Sequence, residues 1–458
     1  MKDLTNGSIA RHVLTMAAPL AAGMVIQMAY QMIDLYFVSG LGDAAVAGVS
    51  AAGNLAFVVL AATQVLGVGT VALIAHAVGR NDRPDANLVF NQSFALSVLC
   101  VALTMVIGYL LKRFYLESVA ADAATIEAGN SYLSWFIPCL AMQFAVVTMG
   151  SALRGTGIVQ PTMIIQMLTV LINAILAPVL IAGWGTGHPL GVAGAGLAST
   201  IAIVIGVAML AVYFVRLDHY VGFDRALMRP QLAQWKRMFA LGLPAGGEFA
   251  MIFLYTAITY YAIRGFGTAA QAGYGIGGRV MQAIMLPAMA VALAASPIAG
   301  QNVGARNGAR VKQAFRASVV IGSTAMLALT IFAQWRPEAF ISVFTKEPEA
   351  LRVGAVFLRL LSWNFVAQGL IFTCSSMFQA LGNTRPSLLS SCTRLVTYAV
   401  PVVWLSTQAS FHIEQVWYLS IATVTLQALV SLSLLRMELA KRLPGASGPA
   451  PARAPVSA

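Results

Sequence analysis

Gly40–Gly53 reads GLGDAAVAGVSAAG, and Gly265–Gly278, 225 residues later, reads GFGTAAQAGYGIGG, with seven of fourteen positions identical. The same offset pairs Pro19 with Pro244, Tyr30 with Tyr255 and Tyr36 with Tyr261, and it continues without a gap through Gly79/Gly304, Phe90/Phe315, Ser151/Ser376 and Pro161/Pro386. The chain is therefore two copies of one unit in the same order. Chance matching in a Gly/Ala-rich sequence does not hold one register over so long a stretch.

Composition says where that unit resides. Of 458 residues, 59% are hydrophobic and 10% charged, with a mean hydropathy of +0.79; a soluble domain carries about 25% charged residues. The pattern excludes a soluble enzyme, a nucleic-acid binder and a disordered scaffold, and points to an all-α polytopic membrane protein. A crossing helix needs roughly 20 mostly apolar residues. Such stretches run over 13–39, 52–78, 88–111, 130–152, 160–182 and 192–215, then over 238–263, 280–303, 313–334, 353–379, 386–408 and 415–436.

Charge gives orientation. The N-terminus, the even-numbered connections and the C-terminus (with the boundary residue Arg436) hold 18 Lys and Arg, the odd-numbered connections seven, and Arg316, Arg359 and Arg394 fall inside spans. Positive loops stay cytoplasmic, which puts both termini inside and requires an even number of spans. Six spans per copy make the halves parallel repeats, a transporter architecture with its site between the halves. The expected division is 1–222 and 223–440 as two six-helix bundles, followed by a disordered tail, 441–458, rich in Pro, Ala and Gly.

The four cysteines, Cys100, Cys139, Cys374 and Cys392, lie in apolar segments without metal-site spacing. The phosphate-binding GxxxxGK[ST] loop, HExxH and GxSxG are absent, so the reading is a non-enzyme without cofactor, energised by an ion gradient. Asp34 and Glu248 are the acidic residues inside spans. A charged carboxylate at the bilayer centre costs at least about 2.5–3.5 kcal/mol, which favours a cavity role: Asp34 as a proton site, a Na⁺ ligand or an attractor of cations. A counter-ion held by a neighbouring helix is the structural alternative. Tyr30 lies one turn before Asp34 on the same helical face. Glu248 follows Pro244 within LPAGGEFAMIF, and Arg394 in span 11 is its candidate ion-pair partner; that pair is read equally as structural or as a second carboxylate site. Met, Phe and Tyr are abundant enough to line a cavity for flat cations.

With these residues in view, QMIDLYFVSGLGDAAVAGVS (31–50), VGRND (78–82), GTGIVQPT (155–162) and RVMQAIMLPAMAVALAASPIAGQNVGA (279–305) resemble the multidrug and toxic compound extrusion (MATE) transporters over essentially residues 10–440. The resemblance implies twelve helices around a V-shaped cleft and export of amphipathic, often cationic small molecules in exchange for H⁺ or Na⁺. It further implies a monomer in the bacterial inner membrane, with no nucleic-acid partner. The family's span-1 aspartate falls on Asp34, and the DinF-like tyrosine on Tyr30. The span-5 asparagine falls on Asn173, in NAILAP, and the span-6 threonine on Thr200, in GLAST. Two departures mix the branches: Ala177 stands where the DinF-like branch has its second aspartate. Glu248 sits about one turn before the NorM-like glutamate, with no acid in span 10. A lipid-linked oligosaccharide flippase is the alternative, but it calls for a cationic cavity to which only Arg359 and Arg394 contribute.

Overall fold

The computed structural model describes residues 1–119, 122–185, 187–216, 220–342, 348–408 and 410–443, and for 31–35, 268, 269, 272, 348–350 and 353 the backbone alone. The described residues form fourteen α-helices and no strand. The first half holds α1 (Ile9–Ser39), α2 (Asp43–Gly79), α3 (Arg83–Val119), α4 (Ala123–Gly155), α5 (Gln160–Ala182) and α6 (Val192–Arg216). The second holds α7 (Leu232–Ile263), α8 (Thr268–Gly304), α9 (Gly308–Trp335), α10 (Pro337–Ile341), α11 (Pro348–Leu361), α12 (Asn364–Ala380), α13 (Arg385–Leu405) and α14 (Ile413–Arg442).

Local chemistry sets the helix ends. Asp122 caps α4, its carboxylate accepting from the Thr125 N–H at 2.7 Å, and Asn307 caps α9 through Arg310 N. The repeat persists in the backbone: Gly157 and Gly382, 225 residues apart, both adopt positive φ (82° and 73°) in the turns that lead to Pro161 and Pro386 in the first turns of α5 and α13.

Among the described residues eleven helices are long and apolar enough to cross a membrane, and a pair, Gly354–Leu361 and Asn364–Ala380, bent by 57°, makes twelve if it is one broken span. The continuous span expected over 353–379 is thus broken. The peptide groups freed at the break are satisfied by neighbours, as an apolar surrounding demands. Gln334 Nε2 donates to the Arg359 carbonyl (2.7 Å) and to Ser362 Oγ (2.8 Å), and Thr330 Oγ1 donates to the Ser362 carbonyl (3.1 Å). Arg359 falls in the first arm of this broken pair, exposed near the end of α11 on the same face as the exposed Arg352 and Val356.

Helices α2, α4 and α8 are the most buried spans, whereas α3 shows a row of exposed apolar side chains, among them Leu103, Ile107, Leu110 and Phe114, as a lipid-facing helix should. Helix α1 is shared. Its first part (Ile9, Val13, Met16, Ala17) packs in one hydrophobic cluster with Ala290, Ala294 and Ile298 of α8 and with α12 and α14. Val38 near its end packs with α2, α4 and α5 of its own half.

Candidate functional site

Three of the first half's helices meet at Tyr30. Its hydroxyl lies 2.7 Å from Ser199 Oγ on α6, and Asn173 Nδ2 on α5 donates to Tyr30 Oη (3.3 Å) and Ser199 Oγ (3.1 Å). Asn173 is 2% exposed, and its Oδ1 is buried with no hydrogen-bond partner among the described residues, an acceptor whose isolation costs free energy. Asp34 is one turn further along α1; its side chain lies outside the described residues. Thr200 does not join this cluster. Its hydroxyl donates to the Trp135 carbonyl of α4, because neighbouring residues on a helix point about 100° apart. Ser199, the residue before the expected Thr200 in GLAST, occupies the position instead.

The second half repeats the motif. Tyr255 donates to Ser420 Oγ on α14 at 2.8 Å, matching the Tyr30–Ser199 bond. Tyr398 stands at the repeat position of Asn173, its ring tilted 36° against that of Tyr255 with centroids 4.2 Å apart. At the position of Asp34 the second half has Thr259, whose hydroxyl lies 2.8 Å from Tyr398 Oη. The offset of 225 alone would have placed Tyr255, Thr259 and Tyr398 in this cluster. Among the described residues this copy of the site has no carboxylate at that level.

Charge appears elsewhere in the second half. Glu248 Oε2 lies 2.8 Å from both Ser375 Oγ (α12) and Ser387 Oγ (α13), which are 2.9 Å from each other. Arg394 is not its partner: the guanidinium bonds Gln368 Oε1 at 3.3 Å and sits over the Tyr255 ring, 4.3 Å from its centroid. The reason is register. Tyr255, Gln368 and Arg394 are each seven residues from Glu248, Ser375 and Ser387 on the same three helices. Two polar layers thus stack about 10 Å apart at 1.5 Å rise per residue, the carboxylate in one and the guanidinium in the other. Neither serine carries a sequence signal beyond being a small polar residue in an apolar helix.

Between the halves lies a reciprocal contact. His76 Nε2 donates to the Ala380 carbonyl (2.6 Å), and Gln301 Nε2 donates to the Gly155 carbonyl (3.1 Å). His76 and Gln301 are repeat equivalents, and so are Gly155 and Ala380, so the bonds are related by the pseudo-twofold that relates the halves. The N-terminal segment is threaded through this junction. Leu4 is 0% exposed; its N–H donates to Gln301 Oε1 (3.0 Å) and its carbonyl accepts from Asn302 Nδ2 (3.2 Å). Lys2 N donates to the Thr156 carbonyl (2.9 Å), and Arg310 reaches the Gly7 carbonyl (2.9 Å). Among the described residues, the hydrogen bonds that join the two halves all lie at this end, where α1, α3 and α7 begin and α2, α8 and α12 finish. The two halves are tied together there.

Comparison with known proteins gives a consistent picture. The family model described as MatE matches residues 19–179 and 244–405, segments that begin at the repeat pair Pro19 and Pro244. The chain is 26% identical over 423 residues to the probable multidrug resistance protein YoeA of Bacillus subtilis, covering 90% of each. It is 23% identical over 416 residues to a FAD transporter of Shewanella oneidensis, covering 88% of this chain and 90% of that one. Among solved structures, the outward-facing conformation of a multidrug resistance MATE family transporter superposes with a TM-score of 0.88 at 23% identity, covering 96% of this chain and 98% of that one.

Proposed function

The chain belongs to the MatE family of membrane transporters, and from that premise we propose that it is a secondary active antiporter of the inner membrane. In this reading it exports amphipathic, often cationic small molecules in exchange for H⁺, with Na⁺ as the alternative coupling ion. Residues 1–222 and 223–440 act as the two moving bundles. Both termini face the cytoplasm, the closed end is cytoplasmic, and the arrangement opens outward. The names of relatives, multidrug resistance protein and FAD transporter, support an aromatic, amphipathic substrate range and give no support to the flippase reading.

The observation that carries the mechanism is the double membership of α1. Its later part holds Tyr30 against Asn173 and Ser199, while its first part packs against α8 of the opposite half beside the closed end. A change at the Tyr30 level can therefore reach the junction along one continuous helix that carries Pro19 between the two. Asp34 is the proposed coupling carboxylate, and the orphan Asn173 Oδ1 beside Tyr30 suits a donor arriving at that level, either a protonated carboxyl or a bound cation. With the cleft open outward and Asp34 ionised, a cationic substrate is held. Protonation from outside removes the negative charge, weakens that binding and rearranges α1 near Pro19. The empty, protonated carrier turns inward and releases the proton. Coupling is then the differential affinity of the two protonation states.

Efflux of a dye cation from proteoliposomes, with ΔpH and ΔNa⁺ imposed separately, tests this reading. Transport driven by ΔpH and abolished in Asp34→Asn is expected; full proton-driven efflux in that variant refutes it. Transport driven by ΔNa⁺ alone would move the coupling role to Glu248 and its half.

A further inference from the structure

We infer that the second half holds a binding subsite for the anionic group, a phosphate or carboxylate, of an amphipathic substrate, with Arg394 receiving the charge and Gln368 and Tyr255 aiming it. The inference rests on the transport reading above and adds to it a class of substrate that a cation-only cleft would reject.

Position comes first. Arg394 lies nine residues into the 21-residue α13, roughly 14 Å along its axis at 1.5 Å per residue, close to mid-span and too deep for its head to reach the interface at that end. An intramembrane arginine is expensive to keep and normally pairs with a carboxylate. Here no carboxylate oxygen of a described residue lies within 4.0 Å of it. Glu248 is already held by Ser375 and Ser387 one layer away.

The donor count points the same way. A guanidinium offers five N–H groups in a planar fork. One meets Gln368 Oε1 at a long 3.3 Å, the Tyr255 face fixes the plane at 4.3 Å, and Nε is buried with no partner among the described residues. The group is pre-oriented and under-bonded, which suits an incoming anion that accepts two N–H bonds at once. The charge is not part of the repeated frame: the repeat equivalent is Thr169, whose hydroxyl donates to the Ile165 carbonyl within its own helix. Arg394 occurs in the half whose tyrosine cluster has Thr259 where the first half has Asp34. The two halves therefore offer opposite charges, a carboxylate position in one and a guanidinium in the other, and together they fit a zwitterion or an aromatic anion.

The test uses a fluorescent pair that differs by one phosphate, riboflavin 5′-phosphate and riboflavin, titrated against the purified full-length protein in phosphatidylcholine nanodiscs. The wild type should bind the phosphate ester about tenfold more tightly or better. Arg394→Gln should bring the ratio of affinities close to one while riboflavin binding persists, and Arg394→Lys, which keeps the charge without the fork, should retain part of the preference. Riboflavin binding by Arg394→Gln serves as the control for its folding. Equal affinities in the wild type, no binding of the phosphate ester, or an unchanged ratio in Arg394→Gln would overturn the proposal. So would a preference that collapses when phosphatidylglycerol is added to the discs, which would assign Arg394 to a lipid phosphate. Gradient-driven dye efflux by the wild type is read separately, so failure of the antiport reading and failure of this subsite are distinguishable.

Discussion

Gly304→Ala should push the protein out of its present conformation. A Cβ built on Gly304 would lie 3.0 Å from both the carbonyl carbon and the Cα of His76, and closer still to the carbonyl oxygen. Those atoms are backbone of α2, so no rotamer change relieves the clash. Carbon atoms rest at about 3.5–4.0 Å, so α2 and α8 must part by roughly 0.5–1 Å at their crossing. Overpacking of this kind costs about 1–3 kcal/mol, and the cost falls only on the state in which the halves meet here. The gain in helix propensity from Gly to Ala, about 1 kcal/mol, is common to both states and cancels. The equilibrium between closed and open at this end should therefore shift by about 5–150-fold. Gly79→Ala, the repeat equivalent, meets the Gln301 carbonyl in the same way and should act similarly. The two share one crossing, so their effects should not add. Spin labels at the exposed positions Arg80 and Arg306 report the separation by double electron–electron resonance in a reconstituted membrane. A second, longer distance population in either alanine variant is expected. An unchanged distribution in a monodisperse, folded variant would refute the reasoning that backbone contact at these glycines holds the end shut.

Three further outcomes follow from the same geometry. Deleting residues 1–7 removes Leu4 from its buried site and frees Gln301 and Asn302; loss of one buried leucine is worth about 1.5–3 kcal/mol, so the same spin-label pair should again show opening at this end. Tyr30→Phe removes the hydroxyl shared by Ser199 and Asn173, at about 0.5–1.5 kcal/mol per bond; a lower melting temperature and weaker ΔpH-driven efflux should appear together, and full efflux would exclude a role in coupling. Asp122, outside the membrane spans, has its carboxyl held below the usual range by the N–H and hydroxyl of Thr125. Because its folded pKa is depressed, the stability it contributes is present above the ordinary carboxylate range and lost as pH falls through the folded value. A comparison of thermal melts at neutral and strongly acidic pH should show that difference shrink in Asp122→Ala.

The repeat and the series of apolar stretches were legible because each depends on spacing along the chain, whereas Tyr30 and Asn173 were brought to one site by the family resemblance. What the sequence hid depends on direction around a helix or on partners far away. Ser199 and Thr200 are equally polar and adjacent, and only the packing of α6 against α4 decides which one turns to Tyr30. Glu248 and Arg394 have complementary charges, yet the parallel run of α7 and α13 fixes Glu248 opposite Ser387 and leaves Arg394 two turns beyond. The interruption in span 10 escaped because its supports, Gln334 and Thr330, belong to α9 and look unremarkable there.

The deeper pattern is a symmetric frame with asymmetric charge. The junction obeys the repeat closely: His76 and Gln301 exchange equivalent bonds, and Gly79 and Gly304 make equivalent contacts. Symmetry suits a junction that must open and close, since each half can leave the other along the same path. The polar layers do not obey it. Thr259 replaces the carboxylate of Asp34, and Glu248 stands where the first half has Gly23, beside Gln166 and Met163. A transporter whose two halves bound the same ion at the same level would gain little discrimination between its states. Halves with different charges at different depths respond unequally to one proton, and that inequality is what a coupled exchange of unlike solutes needs.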